Sequence, residues 1–124
     1  MGIKYLYMAC RMGNYDACYE TGILYETGTK KTKKDVSMAM ALYQKACVNN
    51  IDDACIDMGM LYKKHQEYSK ALYYFMKSCH DGNAEGCYES AKVLEDTQKH
   101  SKSSDIVCLY HRACSMGFSE ACKN

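Results

Sequence analysis

Eight of the nine cysteines in this chain form four pairs, each with seven residues between its two members. The pairs are Cys10/Cys18, Cys47/Cys55, Cys79/Cys87 and Cys114/Cys122. Three residues after each first cysteine stands a glycine or an asparagine, the types that accept a left-handed backbone and end helices. These residues are Gly13, Asn50, Gly82 and Gly117. One sequence unit is therefore repeated along the chain, and the cysteines are part of that unit.

The length of the repeat indicates the class of fold. The first cysteines of the pairs recur at intervals of 37, 32 and 35 residues. Repeats of this length with helical patterning are typical of solenoids built from two-helix units. The chain contains no proline and little period-two alternation, so strand signals do not compete. We therefore predict an all-α fold, an α-α solenoid in which each repeat is a helix A followed by a helix B.

The predicted array occupies residues 1–124 as a single domain, with three full repeats between two half-repeats. The limits of these five segments are 1–13, 14–50, 51–82, 83–117 and 118–124. Helix A is predicted at about 16–26, 52–64 and 84–96, and helix B at about 36–48, 67–80 and 105–116. Asp35 has the residue type and the position of an N-cap for the first helix B. Polar loops at 27–34 and 97–104 join helix A to helix B.

Composition limits the class of partner and the compartment. Sixteen basic against fifteen acidic residues give a net charge of +1, which offers no bulk attraction to nucleic acid or acidic membranes. Lys30, Lys31, Lys33 and Lys34 cluster in one predicted loop, where basic residues are usually just solvated. No apolar run approaches the ~20 residues of a membrane span. Nine cysteines favour an oxidising compartment, so we expect a secreted or periplasmic protein whose signal peptide is absent from this chain.

Each cysteine pair straddles the predicted turn from a helix B to the next helix A. A tight hairpin through such a turn can bring the two Cα atoms within the ~4.4–6.8 Å that a disulfide requires. Zinc coordination is the alternative, although zinc sites favour gaps of two to four residues. We predict four disulfides and neither a metal ion nor a cofactor.

Cys108 is the cysteine left without a partner, and we predict a free thiol. Free cysteine is among the most buried residue types, so a small core residue is expected. A thiolate–imidazole pair with His111 and an intermolecular disulfide are the alternatives. All four histidines are scattered along the chain and are expected at the surface. They are His65, His80, His100 and His111.

Motifs inside the repeats carry a family resemblance. Helix A contains Gly22-Ile23-Leu24-Tyr25 and Gly59-Met60-Leu61-Tyr62, and the first helix B contains Ala39-Met40-Ala41-Leu42-Tyr43-Gln44-Lys45-Ala46-Cys47. These motifs resemble the signature of the Sel-like repeat (SLR) family, a relative of the tetratricopeptide repeat. Cysteine in place of the last signature alanine is similar to the Helicobacter cysteine-rich proteins. The third repeat departs from the signature at Ala91, Leu94 and Ile106. The resemblance implies a secreted, right-handed solenoid with one disulfide per repeat.

The resemblance also implies a binding surface. Helix A lines the concave groove in this superfamily, and the groove positions correspond to three residues in each repeat. They are Tyr19, Ile23 and Glu26, then Ile56, Met60 and Lys63, then Tyr88, Lys92 and Glu95. This mixture of aromatic, aliphatic and charged groups suits a protein or peptide ligand. The alternative is that Ile23, Ile56 and Met60 pack between neighbouring repeats.

A second possible function, from a different class, rests only on the resemblance to the cysteine-rich subgroup. The resemblance implies a penicillin-binding protein or weak β-lactamase, with a β-lactam or a peptidoglycan fragment as ligand. The residues do not identify a catalytic group: no serine has a lysine three residues on, and no Lys-Thr-Gly sequence occurs. We therefore expect an interaction scaffold, with β-lactam chemistry as the alternative.

Overall fold

The computed structural model describes residues 3–97 and 104–122 of the chain. Within these residues all regular structure is helical, and the elements alternate between B helices and A helices as predicted. The B helices are α1 (Ile3–Arg11), α3 (Val36–Val48), α5 (Tyr68–His80) and α7 (Ser104–Ser115). The A helices are α2 (Tyr15–Thr27), α4 (Asp52–Lys64), α6 (Ala84–Thr97) and α8 (Ser119–Cys122). Most of the loop predicted at 97–104, including His100, lies outside the described residues.

Helices α2 and α3 begin at polar side chains that cap the first turn. Asn14 Oδ1 accepts a hydrogen bond from the backbone N–H of Ala17 at 3.1 Å. Asp35 Oδ1 accepts one from the backbone N–H of Met38 at the same distance. Each cap satisfies a donor that has no partner inside the helix. The predicted N-cap of α3 is thereby confirmed.

The four turns from a B helix to an A helix share one backbone conformation. The glycine or asparagine after each first cysteine has a positive φ, from 72° at Asn50 to 99° at Gly13. The N–H of the following residue returns to a carbonyl five residues earlier, as from Asn14 to Ala9 at 3.0 Å. The same bond joins Ile51 to Ala46, Asn83 to Ser78 and Phe118 to Ala113. This pattern is the Schellman motif, which ends the helix and reverses the chain.

Disulfide bonds close these turns, and all four predicted pairs are bonded. Each bridge ties the last turn of a B helix to the first turn of the next A helix. The zinc alternative is therefore wrong, and the prediction of one disulfide per repeat is confirmed. The Cα–Cα distances are 4.6 Å for Cys10–Cys18 and Cys79–Cys87, and 4.8 Å for Cys47–Cys55 and Cys114–Cys122.

The helices fall into two compact bodies, residues 1–58 and residues 59–124, and α4 contributes to both. In the N-terminal body the buried ring of Tyr43 on α3 packs against α2 at Gly22. A Cβ atom at Gly22 would lie 2.7 Å from Cε1 of that ring. The signature glycine of helix A is therefore explained by the close approach of an aromatic ring from helix B.

The C-terminal body uses the same packing between α4 and α5. A Cβ atom at Gly59 would lie 2.5 Å from Cε1 of Phe75, which is fully buried. Helices α5 to α8 enclose a group of buried side chains in this body. The group comprises Cys79, Cys87, Ala91, Ile106, Leu109, Tyr110, Ala113 and Ala121. The limits of the individual repeats remain a prediction.

Candidate functional site: the helix-A faces

The predicted groove residues lie on α2, α4 and α6, and they belong to two separate bodies. We call Tyr19, Ile23 and Glu26 the N-terminal helix-A face. The C-terminal helix-A face comprises Met60, Lys63, Tyr88, Lys92 and Glu95. The remaining candidate, Ile56, lies in the N-terminal body on the first half of α4.

Two hydrogen bonds between neighbouring helices organise the N-terminal helix-A face. The Tyr19 hydroxyl on α2 donates to Asp57 Oδ2 on α4 at 2.8 Å. The Tyr43 hydroxyl on α3 donates to Glu26 Oε1 on α2 at 2.5 Å. The two tyrosine rings lie beside each other, with centroids 5.7 Å apart. Both phenols are thus fixed by carboxylates on a neighbouring helix.

Burial and these contacts shift the pKa values of the two phenols and of Asp57. Burial, reinforced by the hydrogen bond to Asp57, raises the pKa of Tyr19. Burial and the hydrogen bond to Glu26 likewise raise the pKa of Tyr43. Burial also raises the pKa of the Asp57 carboxyl; the hydrogen bond from Tyr19 lowers it, whereas the charges of Glu26 and Asp53 raise it further. The face therefore concentrates negative charge beside two neutral phenols.

Cys18, the predicted site residue next to Tyr19 in the chain, is not part of this open face. Its exposed fraction is 0%, and that of its disulfide partner Cys10 is 1%. The bridge lies inside the turn between α1 and α2, where a ligand in solution does not reach it. Cys18 therefore differs from the groove candidates on α2, because it was predicted as a disulfide partner and its bridge to Cys10 closes the turn.

Ile56 does not contribute to an open surface either. Its exposed fraction is 5%, and its neighbours Ala54 and Cys55 are completely buried. This turn of α4 carries the disulfide to Cys47, which draws it against the end of α3. For Ile56 the alternative of internal packing is therefore the correct one, and it is removed from the candidate groove.

The C-terminal helix-A face combines an ion pair, a cation–π contact and an exposed apolar side chain. Lys63 Nζ lies 3.4 Å from Glu89 Oε1. The ammonium of Lys92 lies 5.1 Å from the centre of the Tyr88 ring. Met60, which precedes Lys63 on α4 by three residues, has an exposed fraction of 41%. This face therefore carries charged, aromatic and aliphatic side chains.

The other edge of Tyr88 and the end of α6 are anchored by α7 and the segment that follows it. The ring of Tyr88 contacts Phe118 at a centroid distance of 4.8 Å. Glu95, which is exposed, accepts a hydrogen bond from the Tyr110 hydroxyl at 3.3 Å. Burial, followed by the charge of Glu95 and this hydrogen bond, raises the pKa of Tyr110 to about 12.

Two carboxylates of these faces were missed by the sequence prediction. Asp57 and Glu89 each bind a side chain from the preceding A helix, Tyr19 and Lys63 respectively. Both stand two residues after the second cysteine of a pair, where the first repeat has Glu20. An acidic residue at one position in every repeat was the signal that could have found them.

Cys108 is exposed, so the prediction of a buried core residue is wrong. The buried residues of α7 are Ile106, Leu109, Tyr110 and Ala113, which follow helical spacing on one face. Position 108 does not lie on that buried face. Its exposure is therefore set by its place in the helical period and not by the residue type. Its free thiol lines a surface cleft of about 650 Å³ together with His111 and Arg112.

The histidines and the other ligand-type residues that the structure describes do not form a metal-binding arrangement. His65, His80 and His111 are exposed, as predicted. Among residues 3–97 and 104–122 no three His, Cys, Asp or Glu side chains come together where a metal ion could be held. The helices of this part of the chain are also too short and too polar to cross a membrane.

Solved structures with the same fold are known from bacteria. A protective antigen from uropathogenic Escherichia coli strains, with an SLR fold, has a TM-score of 0.79 and 21% identity over 96% of this chain. A Sel1 repeat protein from Oxalobacter formigenes has a TM-score of 0.81 and 22% identity over 96% of this chain. The chain spans only 26% and 49% of their respective lengths. At this identity the likeness shows the fold, and the α-α solenoid is confirmed.

The sequence itself carries the family assignment. No curated protein matches it. The model of the Sel1 repeat matches residues 1–14, 16–47 and 52–83, which together make up more than half of the chain. The matches end at residue 83, the first of the third repeat, in which Ala91, Leu94 and Ile106 replace signature residues. Similarity to the Helicobacter subgroup stays a prediction. The chain belongs to the Sel1 repeat family.

Proposed function

We propose that this protein is an interaction scaffold whose helix-A faces bind an extended segment of a partner protein. Sel1 repeats generally mediate protein–protein interaction, which supports the general class of function. The binding surface itself is the proposal. Each helix-A face binds within its own body, because each has its own set of contacts.

The exposure of Met60 is the observation that carries the proposal. Its neighbours on the same helix, Met58 and Leu61, are buried, with exposed fractions of 1% and 6%. Met60 instead leaves a flexible apolar side chain exposed to solvent, three residues before Lys63 on α4. Methionine is well suited to binding surfaces, because its unbranched thioether adapts to different partners.

The surrounding groups define the chemistry of a suitable ligand. The Tyr88 ring and the Lys92 ammonium already contact each other, so both are held in place before a ligand arrives. Preorganised side chains lose less conformational entropy on binding. An apolar side chain of the ligand would cover Met60, and polar groups of its backbone would meet Lys92 and Glu95. Ile23, half-buried at the corresponding position of the N-terminal helix-A face, offers a smaller apolar contact.

We further propose that the protein works in an oxidising compartment, secreted or periplasmic. The supporting observation is four disulfides in a chain of this length. Structural disulfides persist in such compartments and are rare in a reducing cytosol. Fractionation of the native host cells, with the thiols trapped before lysis, tests this part of the proposal.

Peptide selection tests the binding surface. The oxidised chain is presented to a phage library of random dodecapeptides, and the selected peptides are synthesised and titrated. Met60→Glu is expected to weaken binding about tenfold, because it places a charge where an apolar contact forms. Met116→Glu is the matched control, since Met116 in the same body has a similar exposed fraction of 38%.

The two variants separate the outcomes. Loss of affinity with Met60→Glu alone supports the C-terminal helix-A face as the binding surface. Equal affinity of both variants, or a library that yields no binder, would show that this face does not bind peptides.

A further inference from the structure

Five lysines surround neighbouring clefts at the loop that joins α2 to α3. The lysine cleft, with a volume of about 730 Å³, lies between the start of α1, the end of α2 and this loop. Its lining residues are Ile3, Lys4, Leu24, Thr29, Lys30, Lys31 and Thr32. Lys33 and Lys34 line an adjoining cleft of about 560 Å³, which shares Ile3, Lys4, Lys31 and Thr32 with the first.

The loop has a defined shape. The N–H of Thr29 donates to the carbonyl of Thr32 at 2.8 Å, and the N–H of Asp35 donates to the carbonyl of Tyr25 at 2.8 Å. The Thr29 hydroxyl oxygen accepts from the N–H groups of Lys31 at 3.2 Å and Thr32 at 2.9 Å. The lysines therefore leave a folded loop at fixed positions, as the walls of a cleft.

Within the described part of the chain, none of the five lysines around the two clefts forms an ion pair. The ion pairs of residues 3–97 and 104–122 involve lysines elsewhere, at Lys63, Lys70 and Lys77. Asp35, which lines the adjoining cleft, keeps its negative charge but accepts a hydrogen bond as the N-cap of α3, so five lysines face one carboxylate around the two clefts. Charges that line one cleft lie within the screening length of about 10 Å at 0.1 M salt, so they repel one another and attract an anion.

We propose that the lysine cleft binds an acidic segment of a partner protein, one in which carboxylates alternate with apolar side chains. The half-buried Ile3 and Leu24 lie among the lysines and offer an apolar contact inside the cleft. A nucleic-acid backbone or a layer of lipid headgroups would neutralise the lysines, but it would leave these two side chains uncovered. An acidic protein segment with apolar side chains would neutralise the lysines and also cover Ile3 and Leu24. Such a ligand suits a family that mediates protein–protein interaction.

The test uses a fluorescein-labelled peptide, Glu-Glu-Leu-Glu-Glu-Leu-Glu-Glu, titrated with the oxidised chain and followed by fluorescence anisotropy. Binding is expected to saturate and to weaken as salt rises from about 0.02 M to about 0.5 M. The double variant Lys30→Gln/Lys31→Gln should lose about fivefold in affinity, since exposed ion pairs contribute little each. The matched control is Lys45→Gln/Lys64→Gln, which removes two exposed lysines from helices α3 and α4.

Each outcome decides the proposal. Loss of affinity in the cleft variant alone, with weaker binding of a peptide whose leucines are replaced by glutamate, supports it. An equal loss of peptide affinity in both double variants would mean that only the net charge of the protein matters, and it would overturn the proposal. Absence of peptide binding would overturn it as well. The protein could also bind vesicles of equal parts phosphatidylglycerol and phosphatidylcholine. If the peptide did not displace these vesicles, the surface would recognise lipid and the proposal would be overturned.

Discussion

The hydroxyl of Tyr43 on α3 donates a hydrogen bond to the carboxylate of Glu26 on α2 at 2.5 Å. Tyr110 and Glu95 form the same pair in the third repeat at 3.3 Å. The corresponding positions of the second repeat hold Phe75 and Lys63. Phenylalanine has no hydroxyl to donate, and the lysine at the acceptor position forms an ion pair with Glu89 instead. Donor and acceptor are therefore present together or replaced together.

Removal of the donor tests this relationship. Tyr43→Phe should lower the free energy of unfolding by about 1–2 kcal/mol, because a hydrogen bond to a charged group is lost while the ring keeps its packing against Gly22. Tyr110→Phe should cost less, since its hydrogen bond is longer. Urea unfolding of the oxidised chain measures both values. Equal losses for the two variants would contradict the dependence on hydrogen-bond distance.

The same phenols make the fold sensitive to alkali. The pKa of Tyr110 is raised from 10.0 to about 12, and the pKa values of Tyr19, Tyr43 and Tyr74 are raised as well. Between the two values the folded state keeps a proton that the unfolded state loses, so the stability present below pH 10 falls as the pH rises toward 12. Unfolding followed by phenolate absorbance should show this fall. A free energy of unfolding that stays constant over this range would contradict it.

The backbone of the turns could be predicted from the sequence, whereas the contacts on the helix-A faces could not. Gly13, Asn50 and their equivalents mark the turns, because few residue types accept a positive φ. The disulfides follow, since the turn fixes the distance between the cysteines. Asp57 was missed because its partner Tyr19 lies on another helix, 38 positions away in the chain. Ile56 and Cys108 were misplaced because their exposure depends on which side of a helix faces its neighbours.

Gly86 shows how the consensus of the repeat can mislead. The equivalent residues of the other repeats are alanines: Ala17, Ala54 and Ala121. A Cβ atom at Gly86 would nevertheless lie 2.7 Å from both the backbone nitrogen of Cys79 and the carbonyl oxygen of Phe75. Gly86→Ala should therefore lower the free energy of unfolding by about 1–3 kcal/mol, because α5 and α6 must separate.

A neighbouring substitution provides the control for Gly86→Ala. Ser78 lies at the same contact, and its buried hydroxyl has no hydrogen-bond partner within residues 3–97 and 104–122. Ser78→Ala removes that hydroxyl without adding volume, so it should leave the free energy of unfolding unchanged or raise it. Thermal unfolding of both variants compares them directly. A stabilising Gly86→Ala would show that the helices are farther apart than described.

Asp57 is expected to cost stability at neutral pH. Its raised pKa means that the folded state binds a proton more tightly than the unfolded state, so its contribution favours folding below the ordinary value of 3.8 and is lost as the pH rises. Asp57→Asn keeps an acceptor for Tyr19 and removes the charge beside Glu26. The variant should therefore have a higher free energy of unfolding than the wild type at pH 7. This difference should become smaller below pH 3.8.

Urea titrations at both pH values measure the effect of Asp57→Asn. Asp16→Asn is the control, because Asp16 is exposed in the first turn of α2 and its substitution removes the same charge. Asp16→Asn should not raise the free energy of unfolding, because a carboxylate near a helix N-terminus is favourable. An Asp57→Asn variant that is less stable than the wild type at pH 7 would show that the charged hydrogen bond outweighs the desolvation of the carboxylate.

Cys108 is expected to be the single reactive thiol of the folded protein. The thiol is exposed, whereas all eight other cysteines are held in disulfides. Iodoacetamide under non-reducing conditions should therefore add one label to a chain that is two hydrogen atoms lighter for each bridge, as intact mass would show. Cys108→Ser should take up no label and change the free energy of unfolding by less than about 0.5 kcal/mol, as for other surface substitutions. More than one label would reveal an open bridge, and a wild-type chain without a label would place this side chain inside the fold after all.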